Sequence, residues 1–421
     1  MMDGRAAGGG RRKTESGRRL SRIIADGYLD LHRRANEGAF VVWIAIVVPA
    51  EIFAGFENVA YAVPESHAAL SAGKGVGTVQ CQKAEERGYS ADLCSYARID
   101  IGTAFDGGKD SPTFGLPRPH LLVSNNNNCS LLVKWFDLYR REWGVPHFIV
   151  DVPFCYGPQS DRDTDYIVAQ YRDLIREIER LSGQRFDIER VREAVRHSCD
   201  AMREWKRFLR AAAHRPSGIT VFDSFVQMAP ILTARGTPAL AEHFRLLADE
   251  TEGAIADGRY PVPDERYRLL WDNIAPWHQL SGMSSRLAAL GVNLIAASYT
   301  YCIGSLEGSV QLFPYDGADP LRYLARIQNF SVCPQGLALR FEAMRAAIGT
   351  MGVDGVVFAS NRSCKVYSIM QMDLLDRVTR ECGVPAVMID VDHADARAYS
   401  EEGAFTRIEA LLESIDMKRA G

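Results

Sequence analysis

Three cysteines stand where sulfur is better placed to meet a ligand than to fill a core. Cys94 lies among polar and aromatic residues in Gly88-Tyr89-Ser90-Ala91-Asp92-Leu93-Cys94-Ser95-Tyr96-Ala97-Arg98, just ahead of Ile99, Ile101 and Gly102. Cys129 follows four asparagines in Val123-Ser124-Asn125-Asn126-Asn127-Asn128-Cys129, and Cys364 closes Val356-Val357-Phe358-Ala359-Ser360-Asn361-Arg362-Ser363-Cys364. The residues around them favour turns and helix caps. All three are therefore expected where a buried strand ends and a helix begins, the edge at which open α/β sheets bind ligands.

The chain has nine cysteines, an odd count spread over 421 residues, and shows no secretory signal, so a disulfide framework is a poor explanation. No Cys-x-x-Cys pair occurs, which argues against zinc ribbons, thioredoxin-type motifs and the ferredoxin cysteine run. Any metal site must be assembled from distant segments. Cys81, Cys155, Cys199, Cys302, Cys333 and Cys382 read as small buried hydrophobes. Of these, Cys302 follows a strand-like run and could face the same pocket.

The elements that must position these sulfurs follow from periodicity. A helix is expected over Leu20–Asn36 and a strand over 40–48. Pro119–Ser124 and His147–Val152 read as strands around an amphipathic helix, Ser130–Trp143. That is a βαβ unit, with parallel pairing and a right-handed crossover. After Pro153 the pattern turns helical: Thr164–Leu181, Asp187–Ala213 with Asp187 as N-cap, Phe222–Leu232 and Leu240–Ile255. Strands resume with Arg268–Trp271, Asn293–Ser298, Gly355–Phe358 and Ala386–Asp390, interleaved with helices over Leu280–Leu290 and Ser368–Glu381 and closed by one near Thr406–Ser414. The expected fold is α/β, with two Rossmann-like (flavodoxin-like) parallel-sheet domains and a helical subdomain between them. The boundaries read as a tail and helix over 1–38, a first α/β domain over 39–160 with Cys94 and Cys129, the helical part over 161–264, and a second α/β domain over 265–421 with Cys364.

A net charge of −4, with no aromatic residues interleaved along a basic stripe, gives no reason to expect nucleic acid. The apolar run 39–48 is far shorter than the roughly 20 residues a spanning helix needs, so no membrane partner is expected and the protein reads as cytoplasmic. Gly73-x-Gly75-x-Gly77 lacks the dinucleotide spacing, and there is no Walker A sequence, Gly-x-Ser-x-Gly elbow or His-Glu-x-x-His pair.

The cysteine segments carry a resemblance. The Gly88–Arg98 stretch, Ser124-Asn125-Asn126 through Cys129 with Lys134-Trp135, and Pro146–Phe154 are similar to segments of the 2-hydroxyacyl-CoA dehydratase and benzoyl-CoA reductase family. So are Asp354-Gly355 through Cys364, Gly383-Val384-Pro385, Ile389–Asp392 and Thr406–Glu409, in the family's order from about residue 40 onward. The resemblance implies one subunit of an oxygen-sensitive heterodimer whose homologous subunits each hold a 4Fe-4S cluster through three cysteines. Matched by position, these would be Cys94, Cys129 and Cys364. It further implies an (R)-2-hydroxyacyl-CoA substrate and loss of water to a 2-enoyl-CoA through a ketyl radical. A separate ATP-dependent iron–sulfur activator would supply the electron.

Glu51, after the first predicted strand, matches an acidic position of the family. It reads equally as a substrate contact or proton acceptor and as the acidic first turn of a helix. Asn125–Asn128 could cradle a ligand but more simply cap the next helix. Three other functions stay open: a ring-reductase subunit of the benzoyl-CoA reductase type, a non-catalytic scaffold subunit, and a structural zinc protein.

Overall fold

The computed structural model describes residues 14–157, 160–302, 314–329 and 336–421, with backbone alone for Tyr301 and Cys302. Two four-stranded, all-parallel sheets organise it. The first contains β1 (Phe40–Ile44), β2 (Val59–Ala62), β3 (Leu121–Asn125) and β4 (His147–Val150), in the order β2-β1-β3-β4. The second contains β5 (Tyr267–Asp272), β6 (Val292–Ala297), β7 (Gly355–Asn361) and β8 (Ala386–Val391), in the order β6-β5-β7-β8. Both sheets thus repeat one plan, in which strand order reverses between the first and third strands of the half. β3, β5 and β6 are buried at every residue, which is why they read as unbroken apolar runs rather than alternating ones.

Before and within the first sheet lie α1 (Glu15–Asn36), α2 (Pro64–Gly73), α3 (Gly77–Glu86), α4 (Ser95–Ala104) and α5 (Ser130–Trp143). Five helices follow: α6 (Asp161–Ser182), α7 (Ile188–Arg210), α8 (Val221–Gln227), α9 (Pro230–Thr233) and α10 (Pro238–Ala256). No strand occurs among the described residues from 161 to 256. The second half adds α11 (Leu280–Ala289), α12 (Ser298–Cys302), α13 (Pro320–Asn329), α14 (Leu337–Met351), α15 (Lys365–Ser368), α16 (Gln371–Arg377) and α17 (Glu401–Ala420). α5 matches its predicted bounds, and left-handed Gly144 at φ 66° ends it. Asp187 caps α7 by accepting the Glu189 N–H.

Several elements differ from expectation. The run 40–48 pairs as a strand only to Ile44, then turns as the Val48 N–H bonds back to the Ala45 carbonyl at 2.9 Å. The helix expected over Phe222–Leu232 divides into α8 and α9, with Pro230 starting the second piece. The helix expected over Ser368–Glu381 is likewise interrupted: α15 ends at Ser368, and the rest divides into α16 and a π turn over Val378–Cys382. β2 and the helices α2 and α3 have no counterpart among the expected elements, while α4 begins directly after Cys94, where a helix is expected. Gly73 and Gly77 end one of these helices and begin the next, so this glycine cluster is a helix–helix turn. A Cβ on Gly77 would stand 2.8 Å from the Ala394 carbonyl, which marks a close approach between the two halves of the chain. No helix among the described residues is long and apolar enough to cross a membrane.

Candidate functional site

Cys94, Cys129 and Cys364 line one apolar cavity of about 100 Å³. Its walls come from the loops where each sheet reverses its strand order. Ile46 and Val47 follow β1 and Cys129 follows β3, while Ile274 follows β5 and Cys364 follows β7. Each sheet offers a crevice at its own switch point, and the two crevices face each other across this space.

All three cysteines occupy helix N-cap positions, of α4, α5 and α15. Cys129 and Cys364 leave strands, as expected. Cys94 does not: it follows α3 and the loop 87–93, and no strand precedes it. The Asn125–Asn128 run does not supply the cap either, because Cys129 itself takes that place. Asn126 instead ties the ends of β3 and β4 together, bonding Asp151 and accepting the Val152 N–H at 2.8 Å, and Asn128 reaches the cavity.

Burial pushes the Cys94 thiol up, and Cys364 and Cys129 add to the effect, while the Ala97 and Tyr96 amides oppose it. Cys129 behaves alike, raised by burial and lowered by the Leu131 and Leu132 amides. Such thiols stay protonated until a positive metal centre displaces the proton. No three His, Cys, Asp or Glu side chains among the described residues are close enough to hold a single ion. A cluster spreads its thiolates over different irons, so wider-spaced thiols around an apolar space suit it better than one ion.

The second half of the chain fixes the Cys94 turn. Ser95 Oγ lies 3.0 Å from His393 Nε2, and Cys94 Sγ lies 3.6 Å from the same nitrogen. Tyr96 meets the His393 ring edge-on at 4.3 Å and accepts the Trp277 indole N–H. Buried Arg98 bridges Glu85 at 2.6 Å and Asp395 at 2.9 Å.

Glu65, on the first turn of α2, also lines the cavity. Its Oε1 accepts the Ile46 N–H at 3.1 Å, and its buried Oε2 has no partner. Burial raises its pKa from 4.5 to about 7, against the Ile46 amide and with a small push from Asp100. Glu51 is placed differently. It is fully buried, accepts from Ser198 at 2.7 Å and from Arg235 at 2.8 Å, and is not among the residues lining the cysteine cavity. Both glutamates follow a strand. β2 gives little signal in the sequence, so the reasoning that singles out Glu51 passes over Glu65.

Cys81, Cys155 and Cys199 are buried and Cys382 is partly buried, and none of them lines the cavity. Cys333 and the side chain of Cys302 lie outside the described residues.

Two facing parallel sheets with a three-cysteine cavity at their switch points define a two-halved α/β protein with a thiol-lined pocket. The chain belongs to the family of the 2-hydroxyglutaryl-CoA dehydratase D-component, whose model matches residues 45–415. It is 31% identical to the (R)-phenyllactyl-CoA dehydratase alpha subunit of Clostridium sporogenes, over 91% of each chain. It is 30% identical to the (R)-2-hydroxyisocaproyl-CoA dehydratase alpha subunit of Clostridioides difficile, over 95% of this chain and 96% of the relative. A benzoyl-CoA reductase component of Thauera aromatica is 29% identical over 85% of each.

Proposed function

We propose that the chain is a subunit of an (R)-2-hydroxyacyl-CoA dehydratase and holds a 4Fe-4S cluster through Cys94, Cys129 and Cys364. The observation that carries this reading is the convergence of those cysteines, from both halves of the chain, on one apolar cavity. The relatives named as dehydratase alpha subunits support the reaction class and a second subunit as partner, which we take to be homologous. An ATP-dependent activator is the electron donor such chemistry calls for. When bound, the cluster supplies one-electron transfer and Lewis acidity, which no side chain provides.

The chain's own residues supply the surroundings. The walls are mostly apolar, with Trp135 and Tyr367 beside aliphatic side chains. Net elimination removes hydroxide from C2 of the acyl group and a proton from C3. Glu65 is the group positioned to hold that proton, since one oxygen is anchored on Ile46 and the other is unpartnered. A carboxyl with a pKa near 7 can take up and release a proton near neutral pH.

The test is product analysis with partner subunit and activator under strict anaerobiosis. Formation of a 2-enoyl-CoA with no net reduction supports the dehydratase. Stoichiometric electron uptake by benzoyl-CoA, with no elimination from hydroxyacyl thioesters, would replace it with the ring-reductase reading suggested by the Thauera relative.

A further inference from the structure

Just after β5 the backbone takes a shape that few side chains tolerate. Three non-glycine residues have positive φ among the described residues. Asp110 and Phe114, both at 59°, lie in the left-handed helical region, whereas Asn273 lies beyond it at 102°. Strain of this kind persists only where surrounding bonds over-determine it, and it gathers at functional sites. Asn273 is fully buried, and each of its polar groups is engaged. Its N–H donates to Ser298 Oγ at 3.2 Å, and its carbonyl accepts the Trp271 indole N–H at 3.1 Å. Oδ1 accepts the Ile274 N–H at 2.7 Å, and Nδ2 donates to Ser368 Oγ at 3.1 Å. The amide cannot be turned over, because Nδ2 would then face the Ile274 N–H. Ser368 carries the link onward: its Oγ donates to the Asn361 carbonyl at 3.1 Å, and its N–H to the Cys364 carbonyl at 3.2 Å.

We infer that Asn273 is a positioning residue, which holds the Cys364 turn in place for the cluster through Ser368. This role rests on the cluster reading of the three cysteines. The turn needs an outside hold, because α15 spans only Lys365–Ser368 and has Tyr367 as its one buried residue. A helix of one turn is not stable by itself. A metal ligand keeps its geometry when neighbouring hydrogen bonds fix it. Glycine would adopt a φ of 102° without strain but has no amide to reach Ser368. Asparagine supplies that amide and accepts the strained backbone in exchange.

The experiment compares wild type with Asn273→Gly, Asn273→Ala, Ser368→Ala and the double variant Asn273→Gly, Ser368→Ala. Iron release to a chelator is followed in the anaerobic, cluster-loaded complex with its partner subunit. Amide exchange and denaturant unfolding are followed in the metal-free protein. Each single variant should release iron at least about tenfold faster than wild type. The double variant should be no faster than the quicker single one, because both changes break one link. Exchange over 364–369 should quicken by about the same factor. Asn273→Gly should nevertheless unfold at a higher denaturant concentration than Asn273→Ala, since glycine alone takes this φ without strain. Iron release that instead follows the unfolding midpoints, as slow as wild type in Asn273→Gly and fast only in Asn273→Ala, would make the residue merely structural and overturn the proposal. Release and exchange equal to wild type in every variant would overturn it as well, with the cluster reading intact. A wild-type complex without iron would overturn the cluster reading and the proposal together.

Discussion

The backbone N–H of Ser95 donates to the hydroxyl of Ser363 at 3.2 Å, joining the residue after Cys94 to the residue before Cys364 across 268 positions of sequence. The Ser363 hydroxyl in turn donates to Asp392 at 2.5 Å and lies 3.2 Å from Ser95 Oγ. That buried hydroxyl joins the turns of two candidate ligands, together with the His393 and Arg98 contacts.

Replacing that hydroxyl tests the link. Ser363→Ala leaves Asp392 and the Ser95 amide each short of a partner in a buried place. The expected cost is about 1–3 kcal/mol in anaerobic denaturant unfolding. Bound iron should also be lost faster to a chelator, with Ser363→Thr milder on both counts. Iron retention equal to wild type would mean that the Cys94 and Cys364 turns do not depend on this contact.

Glu65 gives a pH prediction with a definite sign. Its folded pKa, about 7, lies above the ordinary 4.5, so the folded state favours the protonated form. The resulting stability is fully present below 4.5 and is lost as pH rises through about 7. Glu65→Gln has nothing to titrate there. In the metal-free protein, wild type should therefore lose roughly 3 kcal/mol relative to Glu65→Gln between pH 4.5 and 8. In the loaded complex the same substitution should lower kcat by about 10²–10⁴-fold with little change in substrate affinity. A flat stability difference across that range would show that the carboxyl is not desolvated as described.

Which parts of this site can be read in the sequence depends on burial. The apolar runs of β3, β5, β6 and β7 and the amphipathic stripe of α5 are visible, and so are the turns that hold Cys129 and Cys364. The body of α4 beyond its start at Cys94 is not, because Ser95 through Thr103 are all buried: a helix covered on every side has no polar face, and its period disappears. Arg98 and Asp100, two charged residues, are buried inside that helix. Glu65 is hidden for a related reason. β2 is a short edge strand, and without it the carboxylate has no strand end to mark it.

Glu51 calls for the opposite kind of test. Its carboxylate is held by Arg235 and Ser198 inside the protein, at the junction of the turn after β1 with α7. Arg235→Met should destabilise the fold by about 3–5 kcal/mol, because it leaves a buried charge uncompensated. The double variant Arg235→Met, Glu51→Leu should recover most of the loss. Absence of recovery, together with loss of turnover in a well-folded Glu51→Gln protein, would return Glu51 to the chemistry.

The helix that Cys94 caps depends on a glycine. A Cβ on Gly102 would stand 2.0 Å from the Gln80 carbonyl, so only glycine lets α4 lie this close to α3. Gly102→Ala should lower stability by about 1–3 kcal/mol, as overpacking does, and reduce iron retention together with it. Unchanged melting of the variant would mean that the two helices can part without cost.

The most direct measurement is iron and acid-labile sulfide per chain in anaerobically purified complex, for wild type and for Cys94→Ala, Cys129→Ala and Cys364→Ala. The expected result is about four irons and four sulfides held in this chain, reduced by each substitution while the fold persists. A colourless wild-type chain, or iron content indifferent to all three changes, would contradict the assignment of the cluster to these cysteines.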